Sequence, residues 1–178
     1  MQFEHGKFKS LMHYVVWKAG DLDGFGATKL YKVLWFSDAR AYMLFGEPIT
    51  GETYLREKYG PMPEHGLTVI KELASDGAIS VSQDQYFNKP IRRFHSERLP
   101  DKLSLDSRQR DIVDYWIKHI GTEHTAASIS DQSHDYAWEI AKLGEVIPYH
   151  AIFANRIRDP EGDELEWAVR RAKELGLR

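Results

Sequence analysis

The fold is decided by the stretch KLYKVLWFSDAR, residues 29–40, which lies at the centre of a predicted helix from Ala27 to Phe45. Apolar side chains fall on nearly every side of this helix instead of on one stripe. Such a helix is stable only when other elements cover it all round, so the pattern predicts a buried central helix. We expect a mainly α-helical α+β domain in which a helical core surrounds this helix, with a small β-hairpin. The most regular apolar row contains Leu30, Leu34, Ala41 and Phe45.

Asp38 is the anomalous member of the central helix, because it lies on this apolar row. A carboxylate in an apolar core costs several kcal/mol unless it is hydrogen-bonded or paired. The candidate partners are His134, Tyr54 and Arg40. We interpret Asp38 as a structural buried acid and not as a catalytic one, since structural pairs perturb acids as readily as active sites do.

Turn residues bound the central helix on both sides. A first helix is predicted from Phe8 to Gly20, and Asp23 or Thr28 can cap the start of the central helix. The residues that end the central helix are Gly46, Pro48 and Gly51. The segment from Thr50 to Tyr59 fits either a short strand or a helical turn, and the pattern leaves both open.

The other predicted elements follow from apolar spacing and from cap residues. In chain order they are a stiff corner at residues 60–63, a helix over residues 67–74 with Gly77 as a left-handed cap, strands at 78–82 and 90–95 joined across 83–89, a helix from Leu103, helices over 125–131 and 135–142 with Gly144 closing the second, a turn at 148–152, and a tail helix from Asp163. Asp106 and Gln109 are spaced for a capping box in the helix near Leu103.

The composition sets broad limits on function. The 178 residues suit one domain, residues 1–178, and the net charge of −3 gives no general attraction to phosphate. The absence of cysteine removes disulfides, thiol nucleophiles and cysteine zinc sites, and it fits a reducing cytoplasm. The first ten residues lack the apolar run of a signal peptide, and no segment has the ~20 apolar residues that cross a bilayer. We therefore expect a cytoplasmic protein with no membrane partner.

Several blocks of the sequence occur in an order that resembles the Panacea antitoxin-like domain family. The residues that carry this resemblance are Lys29 to Asp38, Gly46-Glu47-Pro48-Ile49, Tyr54 with Tyr59-Gly60-Pro61, and Ser130, His134 and Trp138. The resemblance spans about residues 10–154, which leaves residues 155–178 as a C-terminal helical extension. The chain departs from the family pattern in the polar segment 127–132 and in the long loop 83–102.

The resemblance implies an antitoxin, a protein that binds and neutralises a cognate toxin encoded beside it, with no cofactor and no catalysis. The family includes SocA-like antitoxins and phage-associated GepA-like proteins, so a phage-associated interaction protein is an alternative. A SocA-like antitoxin can also be an adaptor that delivers its toxin to a ClpXP-type protease. Aromatic and arginine side chains dominate interface energetics where they are exposed to a partner. The candidate toxin contacts, if exposed, are Tyr54, Arg56, Tyr59, Tyr86, Phe87, Arg92 and Arg93.

A DNA-binding regulator is a second alternative. The predicted helix near Gly66 and the hairpin after it resemble a winged helix-turn-helix in outline, with basic residues in the wing. Those basic residues are Lys89, Arg92, Arg93 and Arg98. Lys71 is the one cation of the helix, and the acidic net charge of the chain weakens this reading, because phosphate contacts supply most non-specific affinity.

An enzyme is the least favoured class. His119, Glu123 and His124 are close in sequence, but their spacing is poor for a metal site and no further ligand follows from the sequence, so we expect no metal. His134 with Ser133 and its acidic neighbours could be drawn as a triad, but neighbours in sequence seldom form one. No glycine-rich nucleotide motif is present. We therefore predict no catalytic residue.

Overall fold

The computed structural model describes residues 2–100, 105–156 and 162–174. Its helices and strands, in chain order, are α1 (His5–Ala19), α2 (Ala27–Phe45), β1 (Tyr54–Glu57), β2 (Gly60–Pro63), α3 (Gly66–Ser75), β3 (Ile79–Tyr86), β4 (Lys89–Ser96), α4 (Ser107–Lys118), a π-helical turn (His119–Glu123), α5 (Ala126–Gln132), α6 (Tyr136–Ile140), a 3₁₀ segment (Tyr149–Arg156) and α7 (Gly162–Glu174). The mainly helical α+β class is therefore confirmed. No helix of these ranges combines the length and the apolar character needed to cross a bilayer.

The central helix α2 has the predicted bounds and is the hub of the core. It packs against α1, α4, α5, β2, β4 and the 3₁₀ segment. Leu30, Val33 and Leu34 are completely buried, and the ring of Phe36 stacks on Trp116 of α4 at 4.7 Å between centroids. The expectation that Phe45 shares this burial is wrong. Phe45 is exposed, and the group found over its ring is the guanidinium of Arg108 on α4, 4.8 Å from the ring centre.

The start of α2 differs from the prediction. Neither Asp23 nor Thr28 caps it, since the N-cap is Gly26, which has no side chain to do so. A Cβ at Gly26 would lie 2.6 Å from the side chain of Ile91 and 2.9 Å from the carbonyl oxygen of Arg92. The close approach of β4 therefore requires glycine at this position. At the other end, Gly46 ends α2 as predicted, and the structure shows that it does so in the left-handed conformation.

In the undecided segment from Thr50 to Tyr59, the strand alternative is confirmed for Tyr54–Glu57. β1 and β2 form an antiparallel hairpin, in which Tyr54 is opposite Pro63 and Glu57 is opposite Gly60. Lys58 and Tyr59 are left as its two-residue tip. The other edge of β1 hydrogen-bonds to residues 144–147, where the amide of Gly144 donates to Arg56 and the amide of Ile147 donates to Tyr54. The predicted stiff corner at residues 60–63 is thus a paired strand.

The second hairpin is longer than predicted. β3 and β4 pair from Ile79 opposite Ser96 to Tyr86 opposite Lys89, so the predicted connection across residues 83–89 is wrong. Only Phe87 and Asn88 connect the strands, and both have positive φ, +47° and +60°. Positive φ at both central residues is what a type I′ turn requires, and an Asn in the second position suits it. Beyond Ser82 the residues of β3 are polar on both faces of the hairpin. The sequence therefore lacks the apolar alternation that would have predicted a strand there.

The later helices largely follow the prediction. Asp106 caps α4 and forms the expected capping box with Gln109. α5 is capped by Thr125 and α6 by Asp135. α6 ends at Ile140, two residues before the predicted limit, because the chain turns there to pair with β1. Gly144 lies in that turn and does not cap the helix. The tail helix is present as α7.

Candidate protein-binding site

Asp38 is held by a hydrogen-bond network in the core. Its carboxylate accepts from the amide of Thr50 at 2.9 Å, from the Thr50 hydroxyl at 2.7 Å and from the Tyr54 hydroxyl at 2.9 Å. Burial raises the pKa of Asp38, and these donors oppose that effect. Of the three predicted partners, Tyr54 is correct, whereas neither His134 nor Arg40 bonds to this carboxylate. Because Asp38 and Tyr54 are closed off from solvent, this network fixes α2 to β1 and offers nothing to a partner.

The exposure of the candidate toxin contacts separates them into groups. Tyr54 is only 1% exposed, so it does not meet the condition of exposure on which its candidacy rested. Tyr59, at the tip of the β1–β2 hairpin, is 62% exposed, and Phe87, at the tip of the β3–β4 hairpin, is 83% exposed. The half-buried candidates are Arg56, Tyr86, Arg92 and Arg93.

Two motif regions that are far apart in sequence meet beneath the β1–β2 hairpin. The ring of His134 stacks on Trp138 at 3.9 Å between centroids, and the guanidinium of Arg56 lies 4.0 Å from the Trp138 ring. The indole nitrogen of Trp138 donates to the carbonyl oxygen of Glu57 at 3.0 Å. This layer of three side chains joins α6 to β1. The four-residue spacing of His134 and Trp138 is thereby explained as a stacking requirement.

His134 is a packing residue in this layer. Burial lowers its pKa, and the nearby positive charge of Lys32 adds to the effect. The Ser133 hydroxyl is buried and donates to the carbonyl oxygen of Ser130 at 2.7 Å. The carboxylate of Asp135 accepts from the amide of Trp138 as the cap of α6. These side chains are used for turns and caps, and the arrangement gives no support to the sketched triad.

Gly60 allows the hairpin to lie directly on the helices. Its φ is +90°, and a Cβ there would collide with the Ser133 hydroxyl and lie 2.7 Å from the ammonium of Lys32. Lys32 in turn donates to the carbonyl oxygen of Pro61 at 2.9 Å. The motif glycine is therefore needed both for its backbone conformation and for the close contact among β2, α2 and the α5–α6 turn.

The other motif lysine, Lys29, is also buried and donates to the carbonyl oxygen of Gly121 at 3.2 Å. It fastens α2 to the π-helical turn after α4. Burial lowers its pKa, and the charge of Asp23 opposes this. Lys29 therefore has a structural role away from the β1–β2 hairpin.

Sequence reasoning missed Lys32 and Thr50. The sequence does contain a signal for Lys32. In a helix that is covered on all sides, a lysine at any position is either buried or extends its ammonium to the edge of the core. Thr50 had no such signal, because its contact with Asp38 depends on how the chain returns after Gly46. Lys32 also lines a cavity of about 240 Å³ between the start of α2 and the β1–β2 hairpin, together with Tyr31 and Tyr59.

The histidine cluster considered as a metal site does assemble at the end of α4. His119 Nδ1 lies 2.7 Å from a carboxylate oxygen of Glu123, and the Nε2 atoms of His119 and His124 are 3.2 Å apart. A hydrogen bond between the two rings and a second one between His124 Nδ1 and the Ser128 hydroxyl account for this geometry. Across residues 2–100, 105–156 and 162–174, no group of three or more His, Cys, Asp or Glu side chains is arranged to hold a metal ion.

The basic hairpin of the winged-helix alternative does follow α3, but its cations are partly engaged within the protein. Arg93 donates to the carbonyl oxygen of Leu22 at 3.3 Å and lies 3.7 Å from a carboxylate oxygen of Asp84. His95 bonds to Asp21 at 2.9 Å. These contacts fold β4 against the α1–α2 loop. Arg93 thus has a structural role, and nothing here favours DNA as a partner.

Comparison with known proteins agrees with the motif blocks. Neither the curated proteins nor the solved structures gave a match. A family model described as "Antitoxin SocA-like, Panacea domain" matches residues 30–139, which is more than half of the chain. The matched range contains the buried part of α2, the β1–β2 hairpin and the His134–Trp138 stack. The chain therefore belongs to the SocA-like antitoxin family that is defined by the Panacea domain.

Proposed function

We propose that this protein is a cytoplasmic antitoxin that binds and neutralises the toxin encoded beside it, and that the tip of the β1–β2 hairpin is a principal contact. The single observation that carries the proposed location is the exposure of Tyr59 on a rigid support. Tyr59 is 62% exposed, yet its neighbour Gly60 is wedged against Lys32 and Ser133. A rigid, exposed tyrosine loses little conformational entropy on binding, which favours an interface anchor.

The surroundings of the tip also suit a protein partner. Four large exposed apolar side chains lie on α6 and on the segment that follows it to pair with β1, and large exposed apolar side chains are what interaction surfaces use. They are Tyr136, Ile140, Leu143 and Val146. The ammonium of Lys58 lies 5.4 Å from the Tyr59 ring, so a cation is presented beside the aromatic anchor. An exposed aromatic tip beside exposed apolar side chains suits a protein interface, in which aromatic residues are enriched.

Co-expression with the product of the neighbouring reading frame tests this proposal. We expect that product to stop growth alone and the wild-type chain to restore growth. Tyr59→Ala should weaken the complex by about thirtyfold or more, as hot-spot aromatics do. Tyr115→Ala is the matched control, because Tyr115 is 58% exposed on α4. The proposal fails if the neighbouring product is harmless, or if its toxicity persists beside the wild-type chain.

The same strains separate two modes of neutralisation. If the chain blocks the toxin directly, the lifetime of the toxin in cells should not shorten when the chain is present. If the chain instead delivers the toxin to a ClpXP-type protease, the toxin should disappear faster, and only while that protease is active. We favour direct blocking, because the features around Tyr59 describe a binding surface and no feature of the described residues identifies a protease contact.

A further inference from the structure

The cavity beside Tyr59 is built around a buried cation. It is bounded by the first turn of α2 and by the β1–β2 hairpin, and its volume of about 240 Å³ is far more than one water needs. Ala27, Pro61 and Met62 supply apolar walls. Lys32 and Tyr31 supply the buried polar groups. The mouth is bordered by Lys58 and Tyr59 of the hairpin tip, so the cavity is continuous with the proposed binding surface.

Lys32 has unused hydrogen-bonding capacity. An ammonium has three donors, and within the described ranges the acceptor found for Lys32 is the carbonyl oxygen of Pro61. The side chain is only 2% exposed, and no carboxylate of those ranges forms an ion pair with it. Tyr31 precedes Lys32 on α2, and the buried hydroxyl of Tyr31 has no hydrogen-bond partner among the described residues. Lys32 and Tyr31 therefore line the same cavity, and the one acid that the cavity lining contains, Glu57, forms no ion pair with the ammonium of Lys32.

We propose that this cavity accepts an aspartate or glutamate side chain of the toxin, whose carboxylate binds the ammonium of Lys32 between α2 and the β1–β2 hairpin. This inference rests on the proposed antitoxin function. A carboxylate supplies the acceptors that Lys32 and Tyr31 lack, and a charge pair formed in a desolvated pocket is strong when both partners are satisfied. A protein source fits best, because the cavity opens beside the exposed aromatic tip.

The electrostatics of the cavity agree with this proposal. Burial lowers the pKa of Lys32 to about 7, and no acidic side chain offsets that effect. Glu57 lines the cavity from β1 but forms no ion pair with Lys32. The groups that face Lys32 from other elements are Glu57, Lys58 and Tyr59 of the hairpin and His134 of the α5–α6 turn, and the pKa of His134 is itself lowered. Between pH 7 and 9, carboxylate binding should therefore require proton uptake by Lys32.

The first experiment measures toxin affinity by calorimetry at pH 6.5 and 8.5. Lys32→Met should weaken binding at pH 6.5 by about thirtyfold or more, the range found when one partner of a buried charge pair is removed. Wild-type affinity should fall by about tenfold or more at pH 8.5, and the affinity of Lys32→Met should not change with pH. Lys29→Met is the matched control, because Lys29 is also buried on α2 but bonds to Gly121. Its affinity should remain within about threefold of wild type.

A second variant tests the same cavity in case Lys32→Met does not fold. Tyr31→Phe removes only a buried hydroxyl without a partner, so it should leave folding intact and weaken toxin binding by about fivefold. Wild-type affinity in both Lys32→Met and Tyr31→Phe would overturn the proposal. If Lys32 merely holds β2 through Pro61, then Lys32→Met should alter stability, but the pH dependence of wild-type binding should be absent.

A third experiment tests the cavity without the toxin. The Lys32 side-chain NMR signal, assigned by its loss in Lys32→Met, is titrated with pH in the presence of the peptide acetyl-Gly-Glu-Gly-amide or of its glutamine counterpart. The glutamate peptide should raise the apparent pKa of Lys32, and the glutamine peptide should not. Inorganic phosphate is the third probe, and a larger rise with phosphate than with the glutamate peptide would identify a small-anion site and overturn the proposal. If the toxin does not bind wild type at all, the proposed function fails, while the peptide result still decides whether Lys32 accepts a carboxylate.

Discussion

At the scale of single residues, α2 contains three buried charged groups, and two of them, Asp38 and Lys32, differ in how fully their hydrogen-bonding capacity is used. Asp38 receives three hydrogen bonds from Thr50 and Tyr54, so both oxygen atoms of its carboxylate are hydrogen-bonded. Lys32 donates to one carbonyl oxygen, and burial lowers its pKa to about 7. A satisfied buried acid holds the fold together, whereas an under-used buried cation is costly unless something binds to it. This contrast, together with the cavity that Lys32 lines and Lys29 does not, is the reason for assigning structure to Asp38 and proposing binding at Lys32.

Asp38→Asn should destabilise the protein by about 2–4 kcal/mol, because the new amide group meets donors from Thr50 and Tyr54 and leaves some of them unpaired in the core. Urea unfolding measured by circular dichroism checks this value. Asp111→Asn, an exposed acid of α4, should change stability by less than about 0.5 kcal/mol. Equal stability of the two variants would show that the Asp38 network does not hold α2 to β1.

Lys32 should make stability rise with pH. Its pKa is about 7 in the folded protein, and about 10.4 is usual for an unfolded lysine, so the unfolded state binds more protons between these values. The free energy of unfolding of wild type, relative to Lys32→Met, should then increase above pH 7 by up to about 1.4 kcal/mol per unit. Urea unfolding of both proteins at pH 6.5, 7.5 and 8.5 measures the slope. A difference that stays constant with pH would mean that Lys32 keeps its proton in the folded state.

At the scale of elements, the β1–β2 hairpin joins parts of the family motif that are remote in sequence. It rests on Lys32 of α2 and on Ser133 at the α5–α6 turn, and Trp138 bonds to its backbone. Gly60 makes these contacts possible.

Gly60→Ala should destabilise the protein by about 2–4 kcal/mol, because a positive φ strains alanine and the new Cβ collides with Ser133. Gly46→Ala is the matched control, since Gly46 has φ +79° but no atom within 4 Å of an added Cβ. We expect it to cost only about 1 kcal/mol from backbone strain. Thermal unfolding of the two variants separates the strain from the collision. If Gly46→Ala is as damaging as Gly60→Ala, close packing under the hairpin is not the cause.

The capping box of α4 gives a second test at this scale. Asp106→Ala removes the acceptor for the amide of Gln109 and should cost about 1 kcal/mol in urea unfolding. Asp111→Ala, in the exposed middle of the same helix, should be nearly neutral. A neutral result for Asp106→Ala would indicate that packing alone holds the start of α4.

At the scale of the whole molecule, one cluster of buried apolar residues extends from Phe8 of α1 to Ile152 of the 3₁₀ segment. The described residues of α7 add nothing to this cluster, and Leu165, Trp167 and Val169 are exposed. We therefore still predict that the family domain ends near residue 154 and that the C-terminal helix is an extension.

Removal of residues 157–178 should leave the urea midpoint unchanged and should leave toxin neutralisation intact, because no residue of α7 that the structure describes belongs to the core or to the proposed site. Denaturation and the co-expression assay measure both properties on the same variant. Loss of the folded state would show that the domain extends to the C-terminal helix. Loss of neutralisation with normal stability would assign part of the toxin interface to α7.

Much of the fold was predictable where the pattern is local. The end of α2 at Gly46 and the capping box at Asp106 depend on neighbours within a few residues, and both are confirmed. The prediction was wrong where a distant element intervened. Gly26 starts α2 because β4 crosses it, and β3 continues past Ser82 because β4 pairs with its polar residues.

The sequence by itself determined the family, the helical class and the buried central helix, because apolar periodicity and ordered motif blocks are properties of the chain alone. The tertiary structure decided which motif residues are buried and which are exposed. Tyr54 and Tyr59 are both tyrosines of one hairpin, yet the first bonds to Asp38 in the core and the second is at the exposed tip. Only the return of β2 over Lys32 creates the cavity, since a site made by long-range contacts has no counterpart in local sequence.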